Sequence, residues 1–117
     1  MTGANLAGAN LTNANLTGAN LAGANLTGAR LGSANLVGAN FSRSNMSRAS
    51  VASATLSGAY LLGTNLSGAD LRGSILLGAD LSKAILTATK FGNNAWFDTI
   101  CPDGYKTKNG CRKHLHA

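Results

Sequence analysis

The sequence predicts an all-β solenoid, a stack of short extended segments turned at regular corners. Three observations predict it. A five-residue unit, Ala-Asn-Leu-x-Gly, runs from Ala4 to about Gly92 without insertion or deletion. Its large apolar centres, counted in steps of five from Leu6 to Phe91, make about eighteen units. A period of five fits neither 3.6 nor 2, so neither an amphipathic helix nor a simple alternating strand explains it. In repeat architectures of this kind no unit buries its own apolar face, and stacking supplies the core.

Each position of the unit has a physical reason. Ala and Leu are two apart and share one side of an extended segment, while the Asn between them faces the other way. The x-Gly pair turns the chain, and Gly holds most of the fifth positions, where a φ closed to other residues is called for. Asn is a turn former and is depleted from ordinary strands, which argues against a conventional sheet.

A small residue, then Asn or Asp, then Leu or Phe, then two variable positions: this pattern resembles the pentapeptide-repeat family over roughly four-fifths of the chain. The resemblance implies a right-handed quadrilateral β-helix with four units per coil, small and large residues inward and the other three outward. Eighteen units then make about four and a half coils. At roughly 4.8 Å between stacked strands, the rod is on the order of 20 Å long. Small positions relax to Ser44, Thr64, Ser74 and Thr89, and the centres depart from Leu at Phe41, Met46, Val51 and Phe91. Residues twenty apart would stack. Asn5, Asn25, Asn45 and Asn65 are then expected to form an amide ladder ending in the apolar Ile85, and Asp70 to meet Lys90.

Composition narrows the function. The length supports one domain. Charged residues are 12% of the chain, half the usual share, and the net charge of +6 is scattered, with Arg30 alone in the first thirty residues. No apolar run is long enough to span a membrane. Met1-Thr2-Gly3 leads directly into the repeat, so no signal peptide is expected here, although prior removal of a leader stays open.

Departures from the unit are where function is sought. Tyr60, Leu62, Ile75 and Leu77 replace Asn, Ser or Thr at outward positions around one corner, with Val37 in the column of Leu77. Such a patch marks a partner site, or else drift, or cover by the C-terminal tail. The chain divides into a repeat body, 1–92, and a capping extension with a basic tail, 93–117. Trp96 and Cys101 continue the count of five beyond Phe91, and Trp96-Phe97 is expected to lie across the open top, since exposed β-edges are usually covered. Pro102-Asp103-Gly104 and Asn109-Gly110 read as turns.

The run from Thr99 to Gly104, closed by Gly110-Cys111, resembles a C-terminal extension found on some bacterial and plant-organelle members of the family. That resemblance implies a Cys101–Cys111 disulfide, and with it an extracytoplasmic compartment such as periplasm, extracellular space or thylakoid lumen. Two reduced thiols are the alternative. His114 and His116 lack the companions that would complete a metal site and read as a solvated tail. At the other end Met1 falls in phase with the Leu centres, nothing caps it, and repeat proteins normally need caps.

No catalytic reading emerges. Ser/His/Asp and Cys/His pairings and phosphate loops are missing, and the four carboxylates are not paired for acid–base work. No cofactor or metal is expected. The resembling family includes proteins that protect DNA gyrase by imitating duplex DNA, but that mimicry needs an acidic rod. Direct nucleic-acid binding fits the sign of the charge but lacks a dense basic stripe and stacking aromatics. The expectation is a non-enzymatic structural or protein-interaction rod. It self-associates through its uncapped first coil, as dimer or filament, or binds a protein partner through the apolar corner.

Overall fold

The protein, described here by a computed structural model over residues 1–111, pairs every unit with the unit twenty residues away. Parallel bridges join Asn5 to Asn25 and Asn25 to Asn45, and continue around the chain as far as Asp80 with Ile100. Units twenty residues apart therefore form four stacks. The first holds 4–8 and its successors, the second 9–13, the third 14–18 and the fourth 19–23. The register runs past Gly92, because Ile75 pairs with Ala95.

Backbone hydrogen bonds explain why this spacing holds. In unit 24–28 all five N–H groups are satisfied. Asn25 donates to Ala4 of the coil before, at 2.8 Å, while Leu26 and Gly28 donate to Asn45 and Ser47 of the coil after, at 2.7 and 3.0 Å. Ala24 closes a turn on Leu21 at 3.1 Å. The fifth donor, Thr27 N–H, goes to the Asn25 side-chain oxygen at 3.1 Å. A short segment with every donor placed is stable where an isolated strand is not.

That last bond corrects the expected amide ladder. The Asn side chains fold back on their own unit, accepting from the N–H two residues on, as Asn5, Asn10, Asn15, Asn20 and Asn45 also do. A local side-chain acceptor wins over a stacked one because its loop is short and costs little entropy. Where Ile100 replaces Asn, the fourth residue is Pro102, which has no N–H to satisfy.

Each corner is a four-residue turn whose third residue has positive φ, the arrangement of a type II turn. Gly fills most of these places, as at Gly28 (φ 66), yet Arg43, Arg48, Lys83 and Ala88 adopt the same left-handed backbone at φ 57 to 59. For these L-residues the conformation costs about 1–2 kcal/mol each.

The core is the inward pair of every unit. Leu21 to Leu81 and the Ala residues between them are sealed, with Phe41 and Met46 among the fully buried side chains. Leu6, Leu11 and Leu16 of the first coil are half-buried. Inward hydroxyls are satisfied by backbone: Thr64, Thr89 and Thr99 each reach a carbonyl twenty-three residues back, at 2.6–2.7 Å, and Ser74 reaches Leu71. Ser44 Oγ alone among the buried side-chain polar atoms described has no partner.

Two short strands end the described chain. β1 (Thr99–Ile100) continues the fourth stack, and β2 (Lys106–Thr107) pairs with it antiparallel, Thr99 opposite Thr107. Among the described residues no helix is long and apolar enough to cross a membrane.

Two stability predictions follow from this geometry. Leu56→Ala, at a fully buried centre, should lower unfolding stability by about 2–5 kcal/mol through the cavity it leaves, read by urea denaturation. Ala88→Gly should raise stability by about 0.5–1 kcal/mol, because the corner strain removed exceeds the extra freedom of Gly in the unfolded chain. A loss of stability in that variant would contradict the strained-corner reading.

Candidate interaction surface

Exposed apolar side chains gather on the third and fourth stacks, with Ile85, 48% exposed, on the first. Ile75 and Leu77 belong to the third, Tyr60 and Leu62 to the fourth, and in each pair the second and fourth residues of one unit are replaced together. Tyr60 is 55% exposed, Leu77 41% and Ile75 38%, while Leu62 is half-buried. Val37 lies two coils below Leu77, with Ser57 between them. Large apolar side chains held in water at positions that elsewhere carry Asn, Ser or Thr are a cost the fold does not demand.

Phe97 extends this surface. It faces outward, 53% exposed, instead of lying over the last coil with Trp96 as expected. The reason is register: Phe97 occupies a fourth position one coil above Leu77, and its carbonyl accepts the Gly78 N–H at 3.0 Å. Lys108 Nζ stands 5.8 Å from the Phe97 ring centre, within cation–π range. Counting twenty from Leu77 would have revealed this placement from sequence.

The top of the coil is closed by Trp96 without Phe97. Trp96 takes the centre position above Leu76 and packs against Phe91, ring centres 5.0 Å apart and tilted by 50°. Gly110 lies so close over the indole that a Cβ there would come within 3.2 Å of it. Cys101, at the next centre position, is disulfide-bonded to Cys111 with Cα atoms 5.3 Å apart, and both are buried. Closing that loop contributes about 3 kcal/mol in the chain-entropy account. Asn94 was not singled out from sequence. It occupies the small inward position above Ser74 and donates from Nδ2 to the Leu71 carbonyl at 2.6 Å and the Ser74 carbonyl at 3.0 Å. The period was the signal, because Asn94 and Thr99 fall in phase with the Ala residues.

Between last coil and tail lies an open cleft of about 800 Å³, walled by Lys90, Phe91, Asn94, Trp96 and Gly110, with Arg72 at its edge. Arg72 is committed elsewhere. Its guanidinium holds Asp70 in a two-pronged pair at 2.8 and 2.9 Å, so the ion pair expected with Lys90 is made with Arg72 instead. The side chain two residues on reaches the carboxylate directly, whereas Lys90 acts on it only as a nearby charge. The hydrogen bond from Arg72 lowers the Asp70 carboxyl from 3.8 to about 2. Among the described residues no cluster of His, Cys, Asp or Glu could hold a metal ion. His114 and His116 lie outside the described residues.

The Asp70 shift sets a pH test. A carboxyl lowered on folding contributes stability that is complete above pH ~4 and is lost as pH falls toward 2. Asp70→Asn should therefore destabilise the protein slightly at neutral pH, the pair being exposed, and the difference from the parent should vanish near pH 2 in urea titrations.

Comparison with known proteins agrees with this geometry. The family model for pentapeptide repeats matches residues 1–32, 24–61 and 52–87. No curated protein matches the sequence. Among solved structures, a pentapeptide repeat protein from the cyanobacterium Cyanothece 51142 is 31% identical, with a TM-score of 0.62 over 80% of this chain and 84% of its own. A pentapeptide repeat protein of the Arabidopsis thaliana thylakoid lumen is 24% identical, with a TM-score of 0.64 over 84% of this chain. This chain spans 61% of that protein's length. The shared fold makes the stacked coil a right-handed β-helix. With in-phase units through most of its length and a family model matching them, the chain belongs to the pentapeptide-repeat family.

Proposed function

We propose that this protein is a non-enzymatic interaction rod that presents the Tyr60, Leu62, Ile75 and Leu77 corner to a protein partner. One observation carries the reading: three of these four side chains are well exposed at positions where the repeat elsewhere places polar residues. In this reading the body, 1–92, is a quadrilateral helix of about four and a half coils, and 93–117 is its cap and tail. The outward positions are free to vary because the backbone ladder does not depend on their side chains beyond the second-position amide. The four carboxylates, scattered and with Asp70 tied to Arg72, favour binding over catalysis.

An extracytoplasmic setting is part of the proposal. The buried Cys101–Cys111 bond supports it, since such bonds persist in oxidising compartments. So does a structural relative from the thylakoid lumen.

A second reading is self-association through the first coil, as a dimer or an end-to-end filament. It is favoured by Leu6, Leu11 and Leu16, which are half-buried where their counterparts in later coils are sealed. Electron microscopy of the purified protein separates filaments from discrete particles.

The double variant Tyr60→Ser with Leu77→Ser tests the corner. Neither side chain is in the core, so thermal unfolding should change little, while solubility rises and binding to a co-purifying partner or self-association falls. Unchanged association in a folded double variant would remove the corner from consideration.

A further inference from the structure

We propose that the third stack is a self-docking face, and that its partner is a second copy of this chain held face to face about a two-fold axis. The inference rests on the reading of the apolar corner as an interaction surface and names its occupant.

Charge is the first argument. The third stack comprises 14–18, 34–38, 54–58, 74–78 and 94–98, and no charged residue occurs in it before Asp98 at its upper end. Lys108 reaches the same end, over Phe97. Its neighbours differ: Arg30, Asp70, Arg72 and Lys90 belong to the second stack, and Arg43, Asp80 and Lys83 to the fourth. A two-fold contact brings a surface against itself, so any unbalanced charge on it meets its own kind. The first stack also carries one charge, Arg48, but in its middle coil, so on a chain of net charge +6 the third stack is the surface that self-pairs with least repulsion.

Shape is the second. The corners leading out of this face are Gly18, Gly38, Gly58 and Gly78, all at positive φ and without side chains. Apart from Val37 in the second coil, its outward residues are polar through Thr55 and Ser57 of the third, then apolar: Ile75, Leu77, Ala95 and Phe97. A flat, unobstructed sheet face ending in an apolar strip packs well against a copy of itself.

Size is the third. The molecule measures 32 × 24 × 23 Å along its principal axes, so one side offers up to ~770 Å², the product of the two longer extents. That approaches the roughly 800 Å² per partner of a standard specific interface without exceeding it. The contact is therefore of ordinary size for a specific pair, and its strength rests on how well the apolar strip packs, not on area.

The test is sedimentation equilibrium on the full chain across about 1–200 μM, with two charge variants. Leu77→Arg places a cation in the apolar strip of both copies. Thr87→Arg places the same charge at an exposed fourth position of the first stack and serves as control. The expected result is a concentration-dependent dimer for the parent and for Thr87→Arg. Leu77→Arg should stay monomeric, weakened at least tenfold, with unchanged circular dichroism. A dimer that survives Leu77→Arg overturns the proposal and directs attention to the first coil. A parent that stays monomeric also overturns it. The corner as such then stands or falls separately, by whether the Tyr60/Leu77 serine variant loses a heterologous partner.

Discussion

The structure depends on one constraint: a backbone that repeats its hydrogen bonds every twenty residues. Leu26 donating to Asn45, and Asn45 donating back to Ala24, is the bond pair on which every stack is built. For it to recur, each five-residue unit must be extended for three residues and turned in the next two, always by the same amount. That requirement explains the sequence position by position. The fifth residue must accept positive φ, an Asn or Asp at the second supplies an acceptor for the fourth N–H, and the first must be small enough to sit inside beside the Leu layer. Insertion of a single residue would move every later side chain out of its column, which is why the period runs unbroken.

How much of this was legible in the sequence follows from the same physics. A period of five with two inward positions reveals which residues stack and which are buried, and the core from Leu21 to Leu81 was readable for that reason. Stacking does not reveal where a flexible polar side chain turns once it is outside. Asn25 could bond to the amide above or to the N–H two residues on. The local choice wins because its loop is shorter, and sequence columns cannot show that. Asp70 repeats the lesson, since Arg72 in its own unit outcompetes Lys90 in the next coil. At the upper end Trp96 was placed by its count, whereas Asn94 and the outward turn of Phe97 were hidden for a different reason. Their identities break the consensus, but their spacing does not, and spacing assigns Asn94 and Trp96 inward and Phe97 outward.

The division of labour among positions bears on function. Donors along the ladder are satisfied by backbone or, where the second position is Asn or Asp, by its side chain, and the core is filled by first and third positions. Fourth-position side chains and the exceptional second-position ones thus contribute little to stability. What occupies them is not compelled by the fold. Val37, Leu77 and Phe97 share a single column, and Ile75 and Ala95 lie alongside, all on a stack with no charge below Asp98. Substitutions without structural pressure should spread across four stacks. Val37, Ile75, Leu77 and Phe97 instead share the third stack, against Tyr60 on the fourth and Ile85 on the first, and the third carries no charge below Asp98.

The cap shows how the rod is closed without a separate domain. Cys101 is at once a core residue, sitting in the column of Leu21, Phe41, Leu61 and Leu81, and one half of the disulfide. The bond therefore ties the returning tail to the last layer of the core, rather than to a surface loop. β2 then covers the edge of β1, and Gly110, at positive φ, lies over Trp96 where a Cβ would crowd the indole. Removing the disulfide would free both the edge strand and the lid over the indole, so cap and final coil should lose their order together.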